Sequence, residues 1–337
     1  AHSELLYKYP GLAQKKRQQK NKQIGSQNSH KARMTILITG ATGTIGKYLV
    51  RSLVEEYKAP AIRLLVRDVD KAKNLFSGLN GSTTIEYVQG DVTKIRESTD
   101  AFTGVDRLFV LTVSAPSQKQ TEQELVTFAT EVNPGLKQIV RLSAIGVDIN
   151  ADTNNLFRWH AEAEQAVVAI AQQKNVALTI LKPNLFLQNF LRDDAASIKE
   201  KGVIYRLGPP DSIDYRISHI DVRDIATAAA VVLTEDVQKH RGSTYNISGP
   251  EALTFTQVAE RITKSIGKEV KLVPVDDYTL YQSFAAFVNP SLALVFVKLY
   301  QYYKLNTTAA ITYGDFKILT GKDPRSVEQF FQDHKNT

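Results

Sequence analysis

The chain contains no cysteine, one methionine and one tryptophan. The absence of cysteine excludes a disulfide framework, thiolate zinc sites and cysteine nucleophiles, and it is typical of a reducing compartment, so we expect a cytoplasmic protein. No stretch approaches 18 uninterrupted apolar residues, so neither a transmembrane helix nor a membrane partner is expected. The six histidines lack metal-ligand spacing, which predicts that the protein has no metal site.

Positive charge is concentrated at one end of the chain. The isoelectric point is about 9.2, but eight Lys and Arg residues lie within 1–33, where Glu4 is the one acid. The rest of the chain holds 34 basic and 34 acidic residues. Because this remainder is neutral, we expect no nucleic-acid binding by the folded body.

Residues 1–33 are rich in Gln, Lys, Asn and Ser and poor in apolar side chains after Leu12. Such a segment cannot bury enough apolar surface to offset the loss of conformational entropy, so we predict a disordered basic leader. Met34 immediately precedes the first strand-like run, which favours an added or mis-assigned extension. A targeting segment and a nucleic-acid-binding arm remain alternatives.

Strand-like and helix-like segments alternate from Met34 onwards. The strand-like runs are rich in Val, Ile and Leu, and they lie at 34–39, 61–66, 83–89, 105–112, 136–143 and 176–182. Apolar strands separated by amphipathic helices predict an α/β fold with a Rossmann-type doubly wound parallel sheet. The rhythm changes near residue 184, so we expect an NAD(P)-binding core at 34–183. A smaller C-terminal α+β substrate lobe at 184–337 would be interleaved with that core.

A glycine-rich turn follows the first strand. Gly40, Gly43 and Gly46 form the motif GATGTIG, which also contains Thr42, Thr44 and Ile45. The first glycine permits a tight turn, the second a close approach to a pyrophosphate, and the third close helix–strand packing. In this strand–turn–helix context the motif predicts dinucleotide binding, whereas a merely structural turn is the alternative.

The end of the second strand indicates which dinucleotide is bound. Arg67 and Lys71 could hold a 2′-phosphate, which favours NADP(H). Asp68 lies between them and keeps NAD(H) open as the less favoured cofactor.

Several segments together resemble the NmrA-like family, whose members are atypical short-chain dehydrogenases/reductases. The segments are GATGTIG, LVRDVDK, GDV, VRLSAIG, LKPNLFLQNF and TGKDPRSVEQF. The resemblance covers the chain from Met34 to its end, and quinone reductases, triphenylmethane reductase and isoflavone-reductase-like enzymes are related proteins.

The resemblance also implies roles for particular residues along the cofactor. It implies that Asp91 and Val92 contact the adenine and that Pro183 and Asn184 lie near the nicotinamide. The loop that runs along the cofactor would contain Thr112, Val113 and Ser114.

The catalytic residues of typical short-chain dehydrogenases are only partly present. Ser143 occupies the serine position, but the tyrosine and lysine positions of Tyr-x-x-x-Lys fall at Leu156 and His160. Without the phenol, protonation of an ordinary alkoxide lacks its usual donor, whereas reduction of a quinone or a conjugated cation makes weaker demands. Ser143 and His160 are therefore the catalytic candidates.

The resemblance extends to His160 followed four residues later by Glu164, as in the related quinone and dye reductases. His160 could hydrogen-bond the nicotinamide ribose or supply a proton near neutral pH. A histidine simply packed at the edge of the core is the alternative interpretation.

The leading hypothesis is an NADPH-dependent reductase that transfers hydride to a small aromatic or quinone-like molecule. Phe186, Tyr278 and Tyr281 are expected to line the substrate pocket, although core packing would also explain the two tyrosines. A non-catalytic, NmrA-type redox sensor that binds NAD(P) is the alternative. The sequence leaves the oligomeric state open, a homodimer included.

Overall fold

A computed structural model describes residues 34–152, 155–208, 215–286 and 288–335. The predicted leader at 1–33 lies outside the described residues. Eleven strands are present in the described part of the chain: β1 (Thr35–Ile38), β2 (Ala61–Val66), β3 (Thr84–Gln89), β4 (Arg107–Val110), β5 (Gln138–Leu142), β6 (Ala177–Pro183), β7 (Val203–Leu207), β8 (Arg216–Ile217), β9 (Thr244–Ile247), β10 (Leu253–Thr254) and β11 (Lys271–Val275).

Seven of these strands form the main sheet, in the order β3-β2-β1-β4-β5-β6-β9. All of its neighbouring pairs are parallel. This confirms the predicted doubly wound Rossmann-type fold, and the six core strands begin and end within two residues of their predicted bounds. The short β7, which the sequence did not predict, pairs with β11 outside the main sheet.

Helices pack on the sheet and form much of the C-terminal region. In chain order, the α-helices of the described residues are α1 (Gly46–Arg51), α2 (Val69–Phe76), α3 (Gln118–Val132), α4 (Leu156–Gln173), α5 (Ala195–Lys201), α6 (Val222–Thr234), α7 (Val237–His240), α8 (Phe255–Ile266), α9 (Asp277–Ala285), α10 (Pro290–Leu305), α11 (Asp315–Thr320) and α12 (Val327–Asp333). Helical turns of other types lie at Ser52–Glu56, Val92–Glu97, Thr99–Ala101, Phe190–Asp194 and Thr307–Ala310. No described helix is long and apolar enough to cross a bilayer.

The order of the strands positions the site. The chain proceeds from β1 outwards to β3 and then returns to place β4 on the other side of β1. The loops after β1 and β4 therefore separate at the carboxyl edge of the sheet, where ligands bind in open α/β sheets. Thr39 holds these loops together: its hydroxyl contacts the carbonyl oxygens of Phe109 and Leu111, both at 3.1 Å.

Two apolar clusters support the two halves of the chain. One contains Leu37, Leu108 and Leu125, and it joins the sheet to α3. The other is richer in aromatic side chains and joins the elements that follow β6, including Phe190, Phe255 and Tyr300. The main sheet nevertheless takes β9 from the later part of the sequence, so the C-terminal region contributes directly to the core sheet.

Candidate active site

The glycine-rich turn between β1 and α1 has little room for side chains. Gly40 has a φ of +66°, and a Cβ there would lie 2.8 Å from the Leu111 carbonyl oxygen. A Cβ on Gly46 would lie 2.1 Å from the Gly40 carbonyl oxygen. No side chain caps the start of α1, where Ile45 is the N-cap residue. The turn therefore presents backbone at close range with uncapped N–H groups, as a pyrophosphate requires.

This turn forms one wall of a cavity of about 460 Å³, which we call the outer cavity. The lining includes ten residues that the sequence had assigned to the cofactor: Gly40, Thr42, Gly43, Thr44, Ile45, Arg67, Asp91, Val92, Thr112 and Val113. Gly46 lies beneath the turn and is buried, and Lys71 is not part of the lining. The size and lining of the outer cavity fit the adenosine diphosphate part of a dinucleotide.

Arg67 and Asp68 have different surroundings at the end of β2. The Asp68 carboxylate is the N-cap of α2 and accepts a hydrogen bond from the Lys71 backbone N–H at 2.9 Å. The side chain of Arg67 is exposed and lines the outer cavity. The acid is thus engaged in capping, while the guanidinium is available to a phosphate, as the NADP(H) prediction requires.

Asp91 follows β3 and caps the helical turn that begins at Val92. Its Oδ1 accepts hydrogen bonds from the backbone N–H of Thr93 at 2.9 Å and from the Thr93 hydroxyl at 2.8 Å. These bonds favour the ionised carboxyl and lower the pKa of Asp91, with Arg67 adding a smaller effect. Asp91 therefore serves as a turn residue and as an ionised group at the edge of the outer cavity.

A second cavity of about 380 Å³, the inner cavity, adjoins the first. The two share the wall formed by Thr44, Ile45, Leu111, Thr112, Val113 and Phe186. Ser114, Ser143, His160, Pro183 and Asn184 lie on the inner side only. The structure thus brings the predicted catalytic and nicotinamide-side residues together in one space that adjoins the outer cavity.

Helix α10 supplies the apolar wall of the inner cavity. Leu292, Val295, Phe296, Leu299 and Tyr303 all contribute to the lining. Phe186 lies in the wall as expected, but Tyr278 and Tyr281 are not part of this lining. Tyr278 instead lines a separate surface cavity near β11, and Tyr281 packs against the C-terminal apolar cluster. The apolar lining of the inner cavity therefore comes from α10 and not from α9, which carries Tyr278 and Tyr281.

His160 on α4 is nearly buried, with 8% of its surface exposed. Its Nε2 lies 2.9 Å from the Ser114 hydroxyl, and its Nδ1 lies 3.3 Å from the Gln118 amide nitrogen. Burial, assisted by the charge of Arg141, lowers the pKa of His160 to about 3. The imidazole is therefore neutral near pH 7, which does not fit the expectation that it supplies a proton there.

Ser143 ends the strand region of β5 and faces an acid on α4. Its hydroxyl donates to the Oε2 atom of Glu164 at 2.7 Å. The other carboxylate oxygen of Glu164 lies 2.8 Å from the Lys182 ammonium nitrogen. The hydroxyl hydrogen of Ser143 is therefore already committed to a carboxylate, and its oxygen is left to accept.

A buried ion pair lies directly behind His160. Arg141 on β5 and Glu122 on α3 have fully buried side chains, and Nε of the arginine lies 2.5 Å from Oε2 of the glutamate. Arg141 also donates to the backbone oxygen of His160 at 3.3 Å. Since isolated buried charges are very costly, each ion holds the other in place and anchors β5, α3 and α4 around the inner cavity.

Asn184 lines the inner cavity, but its polar atoms are used within the protein. Its amide nitrogen donates to the Ser218 hydroxyl at 2.8 Å and to the Ala309 carbonyl oxygen at 2.9 Å. Its side-chain oxygen accepts from the Leu185 N–H at 2.8 Å. Asn184 therefore joins the end of β6 to the C-terminal region, and a cofactor role for it stays a prediction.

Sequence reasoning missed the ion pair and the α10 wall for different reasons. The apolar residues 292, 295, 296, 299 and 303 recur at helical spacing, which is a usable signal, but the sequence does not say which face meets the cavity. Glu122 and Arg141 are 19 residues apart on different elements, and nothing in their local pattern pairs them. Among the described residues no group of His, Asp and Glu side chains could hold a metal ion.

A glycine-rich turn at the switch point of a doubly wound sheet, opening onto an apolar cavity, defines a dinucleotide-binding α/β protein. The chain belongs to the NmrA-like family, whose profile matches residues 32–330. This confirms the resemblance found in its motifs.

Several named proteins match the chain over most of their own length. The chain is 33% identical over 301 residues to an NAD(P)H azoreductase of Xenophilus azovorans, which covers 89% of this chain and 97% of the relative. It is 30% identical over 237 residues to quinone oxidoreductase 2 of Escherichia coli K12, with 70% and 76% covered. The crystal structure of Citrobacter sp. triphenylmethane reductase complexed with NADP(H) superposes with a TM-score of 0.73 at 24% identity, covering 89% of this chain and 99% of that one, and so shares the fold.

Proposed function

We propose that this protein is an NADPH-dependent reductase that transfers hydride to a conjugated small molecule such as a quinone. The observation that carries the proposal is the shared wall of Thr44, Ile45, Leu111, Thr112, Val113 and Phe186 between the outer and inner cavities. A dinucleotide bound in the outer cavity can extend past this wall, so that its nicotinamide meets a flat acceptor in the inner one. The names of the azoreductase and quinone reductase relatives support this class of reaction.

The residues that line the outer cavity suit the phosphate groups of NADPH. Gly40 and Gly46 leave no space for side chains beneath the pyrophosphate, and Arg67 would meet the 2′-phosphate. Reduced NADP supplies the hydride when it is bound. Helix α10 and Phe186 give the inner cavity an apolar wall, which favours an aromatic acceptor. Neutral His160 cannot act as a strong acid there, which suits an acceptor that spreads its negative charge.

The alternative is an NAD(P)-binding redox sensor without turnover. One observation favours it: the Ser143 hydroxyl hydrogen and the Asn184 amide hydrogens are all donated within the protein. A sensor needs only differential affinity for the two oxidation states of the cofactor, coupled to a partner.

The test is NADPH oxidation against a panel of quinones, azo dyes, triarylmethane dyes and enones, with NADH beside it. The informative variant is Leu292→Trp, which places a large ring in the inner cavity. Its control is Leu294→Trp on the same helix, where the side chain is 45% exposed and outside the lining. We expect turnover that Leu292→Trp abolishes without loss of NADPH binding and that Leu294→Trp retains. Tight cofactor binding with no turnover of any acceptor would favour the sensor.

A further inference from the structure

The inner cavity lacks the tyrosine that donates to the reacting oxygen in typical short-chain dehydrogenases, and its hydroxyl groups are not equally free to replace it. Ser143 donates its hydrogen to Glu164 Oε2 at 2.7 Å. Thr112 donates its own to Glu122 Oε1 at 2.6 Å. Because a hydroxyl has a single hydrogen, neither side chain can donate to a ligand without first breaking a bond to a carboxylate.

Glu122 fixes the direction of the next group along. Its Oε1 also accepts from the Gln118 amide nitrogen at 3.0 Å, and its Oε2 accepts from Arg141. An ionised carboxylate can only accept hydrogen bonds, so the Gln118 amide must turn its NH₂ group towards Glu122. The second hydrogen of that NH₂ group is then directed to His160 Nδ1, 3.3 Å away.

This direction determines the tautomer of His160. A neutral imidazole that accepts at Nδ1 carries its proton on Nε2. His160 Nε2 therefore donates to the Ser114 oxygen at 2.9 Å. The groups around the ring are Glu122 and Gln118 from α3, Arg141 from β5 and Ser114 from the loop after β4. Arg141 also lies 3.7 Å from Glu164 on α4, and its positive charge adds to burial in keeping the imidazole neutral.

Ser114 is left with a hydroxyl hydrogen that has no acceptor among the described residues, and its side chain lines the inner cavity. We propose that Ser114 is the hydrogen-bond donor to the reacting acceptor atom of the substrate, a quinone carbonyl oxygen or an azo nitrogen. Glu122, Gln118 and His160 are positioning residues that hold its oxygen. This inference rests on the proposed function and assigns the donor that the missing tyrosine leaves open.

The reaction balances with bound NADPH as the hydride donor and water as the proton donor. NADPH, when bound, would supply the hydride that reduces the quinone to its hydroquinone monoanion and would be left as NADP⁺. The Ser114 O–H would stabilise the negative oxygen by a hydrogen bond. Water then supplies the proton that completes the hydroquinone, so Ser114 keeps its own hydrogen. A donor held in place before reaction stabilises such charge without reorganisation. The buried Arg141–Glu122 pair, at the other end of the hydrogen-bond series that starts at Ser114, supplies that rigidity.

The positioning chain can be tested in the free protein by ¹⁵N NMR of histidine-labelled material, with His160→Asn identifying the signal. We expect the Nε2–H tautomer, with no titration between pH 5 and 8. Gln118→Leu should populate both tautomers, because it removes the donor to Nδ1. An Nδ1–H tautomer in the unmodified protein, or titration of His160 near pH 6.5, would contradict the hydrogen-bond directions from Glu122 to Ser114.

The role of Ser114 is tested by turnover and by a measurement without turnover. Ser114→Ala should lower kcat about 100-fold with little change in NADPH binding, and Ser114→Thr should restore much of the rate. In the complex with NADP⁺, the carbonyl stretch of bound menadione should rise in frequency in Ser114→Ala. Tyr303→Phe and Thr44→Val remove the two remaining hydroxyls of the inner-cavity lining, and a larger loss in either variant than in Ser114→Ala would contradict the assignment.

The reductase activity and the role of Ser114 can be disproved separately. Wild-type turnover that Ser114→Ala fully retains, with an unchanged carbonyl frequency, would remove the role of Ser114 and leave the reductase intact. Absence of turnover with every acceptor would remove the reductase and, with it, the substrate that Ser114 is proposed to meet.

Discussion

The outer and inner cavities share a wall but are built in different ways. The outer cavity depends on a contiguous glycine-rich turn, which presents backbone to the cavity at close range. The inner cavity depends on side chains from separate elements, fixed by ion pairs with fully buried members. A site made of backbone is sensitive to changes within the turn itself. A site made of side chains is sensitive instead to changes in the surrounding residues that hold those side chains. Substitutions chosen by this contrast should separate the two cavities.

The largest effect is expected for Arg141→Met, which leaves Glu122 as an unpaired buried carboxylate. Breaking a buried pair costs about 3–5 kcal/mol, so the free energy of unfolding should fall by that amount. The control is Arg96→Met, since Arg96 and Glu124 form an exposed pair that contributes little to stability. Urea denaturation followed by the fluorescence of Trp159, the only tryptophan, would measure both. Equal losses in the two variants would show that the Arg141–Glu122 pair is not structurally important.

A large effect on the outer cavity is expected for Gly46→Ala. The new Cβ would lie 2.1 Å from the Gly40 carbonyl oxygen, so the turn must move. We expect NADPH affinity to fall about 100-fold, which corresponds to about 2.7 kcal/mol. Gly78→Ala is the control, because a Cβ there meets nothing within 4 Å. Fluorescence titration with NADPH measures both, and unchanged affinity in Gly46→Ala would mean that the turn does not hold the phosphates.

An intermediate effect should appear in the pH dependence of stability. Burial lowers the pKa of His160 and of His219 to about 3, below the usual value of 6.5. The unfolded chain then binds more protons between pH 3 and 6.5, so stability falls as the pH drops through this window. Each histidine contributes about 2 kcal/mol of loss between pH 6.5 and 5.

Asp224 acts in the opposite direction, because burial raises its pKa to about 6. The contribution of His160 is therefore best isolated by comparing unfolding of the wild type and His160→Gln at both pH values. A difference between the two proteins that does not change with pH would contradict a neutral buried imidazole.

The smallest effect is expected for Arg67→Ala at the rim of the outer cavity. Its guanidinium is exposed, so loss of one solvated phosphate contact should weaken NADPH binding about 10-fold, or about 1.4 kcal/mol. NADH binding should not change. Lys73→Ala is the control, because Lys73 is an exposed cation on α2 outside the lining. Parallel losses for NADPH and NADH would show that Arg67 does not contact the 2′-phosphate.

Most of the fold could be predicted from local patterns. The core strands are apolar because helices cover both faces of the sheet, and the glycine motif marks the switch point next to β1. The short β7 escaped prediction because its sequence, VIYRL, pairs outside the main sheet and has no strong alternation. Local pattern therefore predicts the elements whose burial is regular along the chain.

The site was predicted unevenly for a related physical reason. The residues of the outer cavity could be predicted because the turn needs glycine at fixed positions within one short segment, as at Gly40 and Gly46. The state of His160 depends instead on burial and on Arg141, which the fold brings next to it from another element. Sequence pattern indicated a histidine of interest, but it could not show that the imidazole would be buried and neutral.

The central claim is that the two cavities form one site in which hydride passes directly from the outer occupant to the inner one. The most direct test is a single turnover with NADPH deuterated at C4 on one face and a triarylmethane cation, whose reduced product keeps the transferred hydrogen on carbon. We predict that deuterium from one face alone appears in the product, in water of normal composition. Deuterium lost to solvent, or deuterated NADPH left unconsumed, would contradict direct transfer across the shared wall.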